Sequence, residues 1–280
     1  MNTQGLIKLE AGGKSEQAIR HIVSLSGGKD STALAIYLKD RVPGLEYVFC
    51  DTGEELPETY EYLDKLEVFL GREIKRLRAR QSFEDMLKAR RGFLPSSQVR
   101  WCTEYLKIKP FEEYIGSSTC YNYIGIRADE LQRKGYISTK KNIIPRYPFI
   151  EDGIKKEDVI RILEESGLGL PEYYKWRSRS GCYFCFFQQR NEWLGLLDNH
   201  PDLYEKAESF EKENAETGER YTWSQSESLR ELRSPERRRE ILEELERRKR
   251  LEQQKRANLN LLSLLEAESA DEESCLICHL

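Results

Sequence analysis

The chain has 280 residues, of which 39% are hydrophobic and 34% are charged, and its formal net charge is −4. This length and composition exclude a mini-protein that needs disulfides, and they indicate a globular protein with unusually many charged side chains. The sequence has no run of about 18 apolar residues and no basic N-terminal segment followed by an apolar one, so we expect a soluble cytoplasmic protein without a membrane partner. The net charge neither requires nor excludes a nucleic-acid partner, because the local distribution of charge governs such binding.

The first predicted unit is a strand, a glycine turn and a helix. An apolar run at residues 21–25 ends at a pair of glycines, and apolar side chains then recur at helical spacing over residues 31–39. The same order returns in the next segment, with a buried strand at residues 46–50 and a helix at residues 57–70 whose first turn holds a proline.

Further strands are predicted at residues 73–77 and 121–126, and further helices at residues 83–89 and 103–115. Strands that alternate with helices of this length predict an α/β fold built on a doubly wound parallel sheet. Ligands of such sheets bind beyond the carboxyl ends of the strands. We therefore expect the functional residues to follow the predicted strands directly.

The second half of the chain is predicted to be helical, and its longest helix runs from residue 234 to about residue 267. The centre of this helix, residues 237–256, is densely charged and contains few apolar residues. This pattern favours a solvated or coiled-coil helix over a helix that faces nucleic acid. These features divide the chain into an α/β domain, a cysteine-containing region and a helical C-terminal extension, at residues 1–146, 147–233 and 234–280.

A short polar segment with two glycines follows the first predicted strand: Ser26-Gly27-Gly28-Lys29-Asp30-Ser31. The glycines permit a backbone whose N–H groups point at phosphate oxygens, and the helix that follows adds its positive end. The lysine supplies a cation, the serines supply hydroxyl groups, and the aspartate can hold the Mg²⁺ that accompanies ATP. The spacing differs from that of the Walker loop, so the segment predicts a phosphate site of another kind.

This segment resembles the PP-loop of the ATP pyrophosphatase superfamily, and other segments resemble the phosphoadenylylsulfate (PAPS) reductase branch of that superfamily. They are Phe49-Cys50-Asp51-Thr52-Gly53 with Pro57-Glu58-Thr59, Arg100-Trp101-Cys102-Thr103 with Leu106-Lys107 and Pro110, Gly125-Ile126-Arg127-Ala128-Asp129-Glu130, and Ser180-Gly181-Cys182-Tyr183-Phe184-Cys185. Their order and spacing match this branch from about residue 20 to residue 190.

The resemblance implies roles for individual residues in binding ATP. Asp51 and Thr52 would receive the adenosine, while Gly125 and Arg127 would face the phosphates. Arg127 would act in catalysis together with the lysine and the aspartate of the loop, because an arginine fork matches phosphate oxygens. Two further basic residues would line the same cleft as substrate-binding groups: Arg100 and Lys107.

Three cysteines are predicted to hold a metal centre: Cys102, Cys182 and Cys185. The C-x-x-C pair lies in a glycine-led turn with aromatic neighbours, and cysteine thiolates are the usual ligands of iron–sulfur clusters. We predict an iron–sulfur cluster of the 4Fe–4S type, with a zinc site or redox-active thiols as alternatives. The adenylylsulfate reductases of the branch have two adjacent cysteines at the first site, whereas Trp101 stands before the single cysteine here. A fourth ligand would come from Cys50, Cys120 or the tail, or one iron would stay open to hold sulfide.

The tail contains a second cysteine pair, Cys275 and Cys278. It is predicted either to relay sulfur or electrons or to be incidental in an exposed tail. PAPS reductases keep a catalytic cysteine in a Glu-Cys-Gly-x-His pattern near the C-terminus, and this tail does not reproduce that pattern. The difference argues against simple reductase chemistry.

The resemblance implies an ATP pyrophosphatase that adenylates an acceptor for sulfur insertion. The combined segments are most similar to the ATP pyrophosphatases of bacterial DNA phosphorothioation systems, so DNA is the favoured acceptor and a cysteine desulfurase is the expected sulfur donor. Three alternatives stay open: an enzyme of tRNA thiolation, a reductase of adenylylsulfate or PAPS, and a nucleotide-binding partner without turnover.

Overall fold

A five-stranded parallel sheet forms the centre of the first half of the chain. The computed structural model describes residues 19–130, 132–133, 138–213, 220–224 and 227–257. The strands of the sheet are β1 (Arg20–Leu25), β2 (Leu45–Cys50), β3 (Ile74–Leu77), β4 (Cys120–Tyr123) and β5 (Ile143–Arg146). They lie in the order β3-β2-β1-β4-β5, and every neighbouring pair is parallel.

The helices of the described residues connect these strands and then form the second half of the chain. They are α1 (Lys29–Leu38), α2 (Pro57–Leu70), α3 (Phe83–Ala89), α4 (Trp101–Thr103), α5 (Lys109–Ile115), α6 (Pro148–Glu151), α7 (Lys156–Glu165), α8 (Arg190–Asn199), α9 (Pro201–Ser209), α10 (Leu229–Leu232) and α11 (Pro235–Ala257). A π-helical turn, Glu104–Ile108, joins α4 to α5, and a short antiparallel pair, β6 (Lys212–Glu213) and β7 (Arg220–Tyr221), follows α9. None of the described helices is long and apolar enough to cross a membrane.

Helices cover both faces of the sheet, which confirms the predicted doubly wound fold. Alternate residues of a strand point to opposite faces. Val23 and Phe49 pack on one face against α1, α2 and α7, whereas Ile22 and Val48 pack on the other face against α5. Strand β5 was not predicted from the sequence, because its Pro145 cannot donate a ladder hydrogen bond. The proline is tolerated here because β5 is an edge strand.

A third core, rich in aromatic rings, joins α3 and α4 to the helices of the second half. The ring of Phe184 lies 4.2 Å from that of Phe83 and 5.0 Å from that of Trp223, measured between centroids. The indole N–H of Trp223 donates to the carbonyl of Ala207 at 2.8 Å, so its polar atom is satisfied in the core. This core places the cysteine segment that contains Phe184 against the loop and helix that contain Cys102. The division of the chain at residues 146 and 233 stays a prediction.

The long helix α11 has few apolar contacts. Ile241 is buried, whereas Leu242 and Leu251 are 41% and 50% exposed. Its arginines pair with carboxylates, as Arg237 does with Glu227 at 2.7 Å. These pairs favour the interpretation of α11 as a solvated helix. The predicted continuation to residue 267, and the tail cysteines, lie outside the described residues.

Two substitutions on α2 test the packing of the sheet. Leu66→Ala removes a side chain with no exposure to solvent, so we expect a loss of about 2–5 kcal/mol in the free energy of unfolding. Val68→Ala is the matched control, because Val68 is 83% exposed and its loss should change stability by less than about 0.5 kcal/mol. Urea denaturation measures both, and equal effects of the two substitutions would contradict the packing.

Candidate functional site

The predicted phosphate loop lies where the sheet changes direction. The chain moves outward from β1 through β2 to β3, and then returns to place β4 on the other side of β1. The carboxyl ends of β1 and β4 therefore border the crevice at which doubly wound sheets bind ligands. Ser26 follows β1 directly, and Gly125 follows β4 within two residues.

Hydrogen bonds and close packing fix the conformation of the loop. The Ser31 hydroxyl accepts from the Ser26 N–H at 3.1 Å and donates to the Gly28 carbonyl at 3.2 Å. Gly27 has a φ of +70°, and a Cβ atom there would stand 2.4 Å from Cγ2 of Thr59. Only glycine fits that position, both for its backbone angle and for its space. The two serines therefore stabilise the conformation of the loop.

The three residues predicted for catalysis lie together at the start of α1. Oδ2 of Asp30 is 2.7 Å from the Lys29 ammonium, and Oδ1 of Asp30 is 3.0 Å from Nη1 of Arg127. Arg127 is only 3% exposed. Burial opposes its charge, but Asp30 and the hydrogen bond to Asp129 raise the pKa of the guanidinium above its ordinary value. The site therefore keeps a buried positive charge beside the loop.

Gly125 permits the close approach of two backbone segments. A Cβ atom at this position would stand 2.9 Å from the carbonyl oxygen of Asp30. The segment after β4 consequently lies directly on the first turn of α1, which brings Arg127 to Asp30. The structure thus gives Gly125 a packing role within the predicted site.

Residues 173–180 cover the phosphate loop, and sequence reasoning left residues 173–179 without a role. Tyr173 donates its hydroxyl hydrogen to the Gly27 carbonyl at 2.7 Å, and Ser180 donates to the Ser26 hydroxyl at 3.1 Å. The Tyr174 hydroxyl accepts from the Lys29 N–H at 3.3 Å. Burial raises the pKa of Tyr174, so its hydroxyl stays neutral. Residues 173–179 are rich in aromatic and basic side chains, and this composition could have indicated a functional segment. It does not reveal which hydroxyl group contacts the loop.

Asp51 and Thr52, predicted to receive adenosine, occupy the end of β2. Asp51 accepts from the Tyr60 hydroxyl at 2.7 Å and from Nε of Arg78 at 2.7 Å. Arg78 follows β3 and was not predicted as a site residue. Thr52 donates to Oε1 of Glu55 at 3.1 Å. These contacts place both predicted residues at the carboxyl edge of the sheet, with side chains held by neighbours.

Cys182 lies beside the buried carboxylate of Glu55, and the charge of the buried Lys107 affects its thiol. Its Sγ is 3.2 Å from Oγ1 of Thr52 and 3.7 Å from Oε1 of Glu55. Burial raises the pKa of the Cys182 thiol well above its ordinary value, Glu55 raises it further, and Lys107 lowers it. Burial also raises the pKa of the Glu55 carboxyl, whereas the positive charge of Lys107 lowers it. The positive charge of Lys107 thus favours the charged forms of Cys182 and Glu55, and the contact of Lys107 with the nucleotide stays a prediction.

The contacts of Arg100 also lie with the cysteine segment. Its guanidinium carbon is 4.9 Å from the ring centroid of Phe187. Its Nε donates to the carbonyl of Ser97 at 3.0 Å. A contact of Arg100 with nucleotide stays a prediction.

The three cysteines predicted as ligands do not converge on one point. Cys102 and Cys182 belong to the same core, and the Cys185 N–H donates to the Cys182 carbonyl at 3.0 Å. Nevertheless, within residues 19–257 as described, no three His, Cys, Asp or Glu side chains form a group that could hold a metal ion. The side chains as placed therefore do not fit a cluster, and the iron–sulfur centre stays a prediction.

Two of the alternative fourth ligands lie in a different core. Cys50 donates to the carbonyl of Lys107 at 3.4 Å, and burial raises the pKa of its thiol to about 12. Cys120 begins β4, at the edge of the sheet opposite to the phosphate loop. Both belong to the core on the α5 face of the sheet, apart from the core of Cys102 and Cys182. A fourth ligand from either cysteine stays a prediction.

The phosphoadenosine phosphosulfate reductase domain family matches residues 20–185, which is more than half of the 280 residues. The chain belongs to this family. The match ends at Cys185 and includes the phosphate loop, the Arg127 segment and the C-x-x-C pair. The predicted family is thereby confirmed, and the chain contains a nucleotide-binding domain of the PAPS reductase type.

Two proteins named as uncharacterized are similar in sequence to the chain. One from Methanocaldococcus jannaschii is 29% identical over 208 residues, which span 70% of this chain and 42% of that protein. A nin region protein of Escherichia phage lambda is 28% identical over 63% of this chain and 68% of its own length. The chain thus spans less than half the length of the Methanocaldococcus protein.

Two solved structures are similar to the chain at low identity. A PAPS reductase from Candida auris in complex with phosphate has a TM-score of 0.45 and 16% identity, with coverage of 60% of this chain and 82% of that one. The U34-tRNA thiolase NcsA from Methanococcus maripaludis, with its 4Fe–4S cluster, has a TM-score of 0.38 and 16% identity, with coverage of 68% and 70%.

A double-mutant cycle tests the contact between the loop and the segment that covers it. A Cβ atom at Gly28 would stand 2.6 Å from Oγ of Ser180, so Gly28→Ala should cost about 1–3 kcal/mol in the free energy of unfolding. Ser180→Gly removes the obstructing side chain and should restore part of that loss in the double variant. Thermal and urea denaturation of the four proteins give the coupling. Effects that add within about 0.5 kcal/mol would contradict the contact.

Proposed function

We propose that this protein uses ATP to activate an oxygen atom of a nucleic acid for replacement by sulfur, with DNA as the favoured acceptor. The proposal makes the chain an ATP pyrophosphatase and sulfurtransferase. It builds on membership of the PAPS reductase domain family and on the contents of the cleft at the ends of β1, β2 and β4.

The proposal rests on one short segment, which contacts both the phosphate loop and the end of β2. Ser180 donates to Ser26 in the phosphate loop, and two residues later Cys182 lies 3.2 Å from Thr52 at the end of β2. Parallel strands β1 and β2 are neighbours, so these contacts lie at the same edge of the sheet. A thiol is thereby held beside the nucleotide cleft.

The reaction would have two displacements. In the first, an acceptor oxygen attacks the α-phosphorus of ATP, the bond between the α-phosphorus and the bridging oxygen breaks, and pyrophosphate leaves. In the second, sulfide attacks the activated acceptor and AMP leaves with the acceptor oxygen. Positioning and charge neutralisation supply most of the acceleration in such reactions.

The charged side chains of Lys29, Asp30 and Arg127 suit the first displacement. Lys29 can follow the phosphates because its ammonium lies on a flexible side chain, whereas Arg127 is fixed by Asp30 and Asp129. Asp30 would hold Mg²⁺, which neutralises phosphate charge, through Oδ2 once the Lys29 ammonium leaves that oxygen. Arg127 would remain on Oδ1 and keep the carboxylate oriented.

The acceptor and the sulfur donor are proposed on chemical grounds. The tail lacks the Glu-Cys-Gly-x-His pattern of PAPS reductases, so reduction of a nucleotide sulfate is less favoured than sulfur insertion. A cysteine desulfurase would be the partner that supplies sulfur. tRNA is the second candidate acceptor, since the same activation serves either polymer.

An aspartate substitution tests the nucleotide chemistry. Asp30→Ala should reduce pyrophosphate release from ATP by at least about 100-fold, since the loss of one positioned charged group typically costs two to three orders of magnitude. Asp40→Ala is the matched control just after α1, because the Asp40 side chain is 84% exposed. The assay measures AMP and pyrophosphate with DNA, with tRNA and without acceptor. Activity of the folded Asp30→Ala protein within threefold of wild type would remove this residue from the mechanism.

Iron and sulfide analysis tests the predicted centre. No step of the proposed reaction requires iron. A cluster would require the three cysteine side chains to move from their described positions; in that case anaerobically purified protein contains iron and acid-labile sulfide, and Cys182→Ala removes both. Cys275→Ala should retain the iron and serves as the control. Colourless anaerobic protein without iron would leave Cys102, Cys182 and Cys185 as thiols, whatever the outcome for pyrophosphate release.

A further inference from the structure

A run of basic residues without carboxylates includes the end of α3. Residues 86–103 contain four lysines and arginines and no aspartate or glutamate, although the net charge of the whole chain is −4. Arg90 and Arg91 directly follow α3, and the side chain of Lys212 in β6 lies against the next residue. A Cβ atom at Gly92 would stand 2.6 Å from Nζ of Lys212. We call Arg90, Arg91 and Lys212 the Arg91 patch.

The backbone at Arg91 has a conformation that favours glycine. The Gly92 N–H donates to the Leu87 carbonyl at 2.9 Å. The Arg91 N–H donates to the Lys88 carbonyl at 2.9 Å, and the two bonds together form the Schellman motif that ends many helices. Arg91 has a φ of +55°, and among the described residues it is the only one other than glycine with a positive φ. Because a side chain disfavours this backbone angle, the chain keeps a cation here at a cost in stability.

Arg90 is held by aromatic rings. Its guanidinium carbon lies 4.9 Å from the ring centroids of both Trp101 and Tyr105. Within the described residues, no aspartate or glutamate forms an ion pair with it. Contact with two rings restricts the guanidinium, whose N–H donors match the oxygens of a phosphate. Arg90 is thus prepared for an anion from outside this part of the chain.

The carboxylates on either side of Lys212 are engaged elsewhere. Glu213 pairs with Arg220 at 3.3 Å. Glu211 accepts two backbone N–H groups, at 2.8 Å and 3.0 Å. In the part of the chain that the structure describes, neither Arg91 nor Lys212 has a carboxylate at ion-pair distance. The positive charges of the Arg91 patch are therefore not compensated by the described residues.

Uncompensated cations of this kind favour a nucleic acid as the partner. Like charges that lie close together repel each other, and bound phosphates relieve this repulsion and release counterions. The core of a protein–protein interface is depleted in charged residues, so a protein partner would fit the patch less well. Arg91 and Lys212 are exposed, whereas a site for a small molecule encloses its ligand.

The Arg91 patch adjoins the cysteine region. The indole N–H of Trp101 donates to the Phe93 carbonyl at 3.2 Å, and Trp101 directly precedes Cys102 in sequence. Trp101 belongs to the core that also contains Cys102 and Cys182. Because Arg90 contacts the same indole ring, a strand bound to the patch would pass beside this region. An acceptor has to reach this side of the protein if sulfur is delivered there.

We propose that the Arg91 patch binds the phosphate backbone of the acceptor nucleic acid, with Arg90, Arg91 and Lys212 facing phosphates. The role of this polymer as acceptor rests on the proposed function, but the binding itself requires no turnover. Backbone phosphates are common to duplex DNA, single-stranded DNA and RNA. Comparison of the three polymers identifies the one that the patch serves.

Fluorescence anisotropy with the full-length protein tests the Arg91 patch. The probes are a labelled DNA duplex, one of its strands, and the same strand as RNA, each titrated without ATP at several salt concentrations. Arg91→Gln/Lys212→Gln should weaken binding at least about tenfold. The slope of log affinity against log salt should become shallower by about 1.4 for a single strand or about 1.8 for a duplex, which corresponds to two lost phosphate contacts.

A second double variant controls for the loss of charge. Arg41→Gln/Lys141→Gln also removes two exposed cations. Arg41 precedes β2 and Lys141 precedes β5, so both lie at the edge of the sheet opposite to the phosphate loop. This variant should bind within about twofold of wild type, because exposed substitutions away from a binding surface have small effects.

Arg91→Gly separates binding from folding. Glycine suits the left-handed backbone angle at this position, so the variant should melt at or above the wild-type temperature. It should nevertheless bind nucleic acid at least about threefold more weakly, with a salt slope that is shallower by about 0.7 to 0.9, because one phosphate contact is lost. Thermal denaturation and anisotropy measure the two effects on the same protein.

The outcomes distinguish this inference from the proposed function. The patch would be overturned by wild-type protein that binds none of the three polymers in low salt, by equal losses in the patch and control variants, or by a loss of affinity without a change in salt slope. Each of these results counts against the patch even if pyrophosphate release depends on nucleic acid. Loss of affinity confined to the patch variants supports the inference, even if ATP is never converted to AMP. Loss that is confined to RNA supports the patch and favours tRNA as the acceptor.

Discussion

The ion pair between Asp30 and Arg127 is the interaction on which the site depends. It joins the first turn of α1, which follows β1, to the segment that follows β4, and so it bridges the switch point of the sheet. Both side chains are almost completely buried, and loss of either partner would leave the other with only its remaining partners, among them Lys29 for Asp30 and Asp129 for Arg127. The contact is possible because Gly125 lets the two backbones meet. The orientation of Asp30 and the position of the positive charge beside the loop both follow from this one arrangement.

The second constraint is the segment of residues 173–182, which ties the cysteine region to the nucleotide cleft. Tyr173 and Ser180 contact the phosphate loop, and Cys182 contacts Thr52 at the end of the next strand. Any movement of the loop on nucleotide binding would therefore be transmitted to the thiol. An enzyme that must couple activation of an acceptor to sulfur delivery needs such a connection, whereas a simple nucleotide-binding module does not.

The sequence was sufficient for the sheet and the loop because both depend on local patterns. Alternating apolar segments and glycines identified four strands and the Ser26 to Ser31 loop, whereas β5 was hidden by Pro145 and its short length. The roles of Tyr173 and Tyr174 could not be predicted, since each depends on a hydroxyl that reaches across 146 or 145 residues of sequence. For the same reason, sequence spacing suggested three converging cysteines but could not determine where their side chains point.

The oxygen in AMP tests the central claim most directly. The reaction is run in ¹⁸O-labelled water with ATP, sulfide and the nucleic acid that best stimulates pyrophosphate release, and AMP is analysed by mass spectrometry. If the acceptor is adenylated and then attacked by sulfide, AMP carries an oxygen from the acceptor and contains no label from water. AMP that contains ¹⁸O would show that water attacks the α-phosphorus, and ADP in place of AMP would show that the γ-phosphate is released instead. Either result would contradict this account.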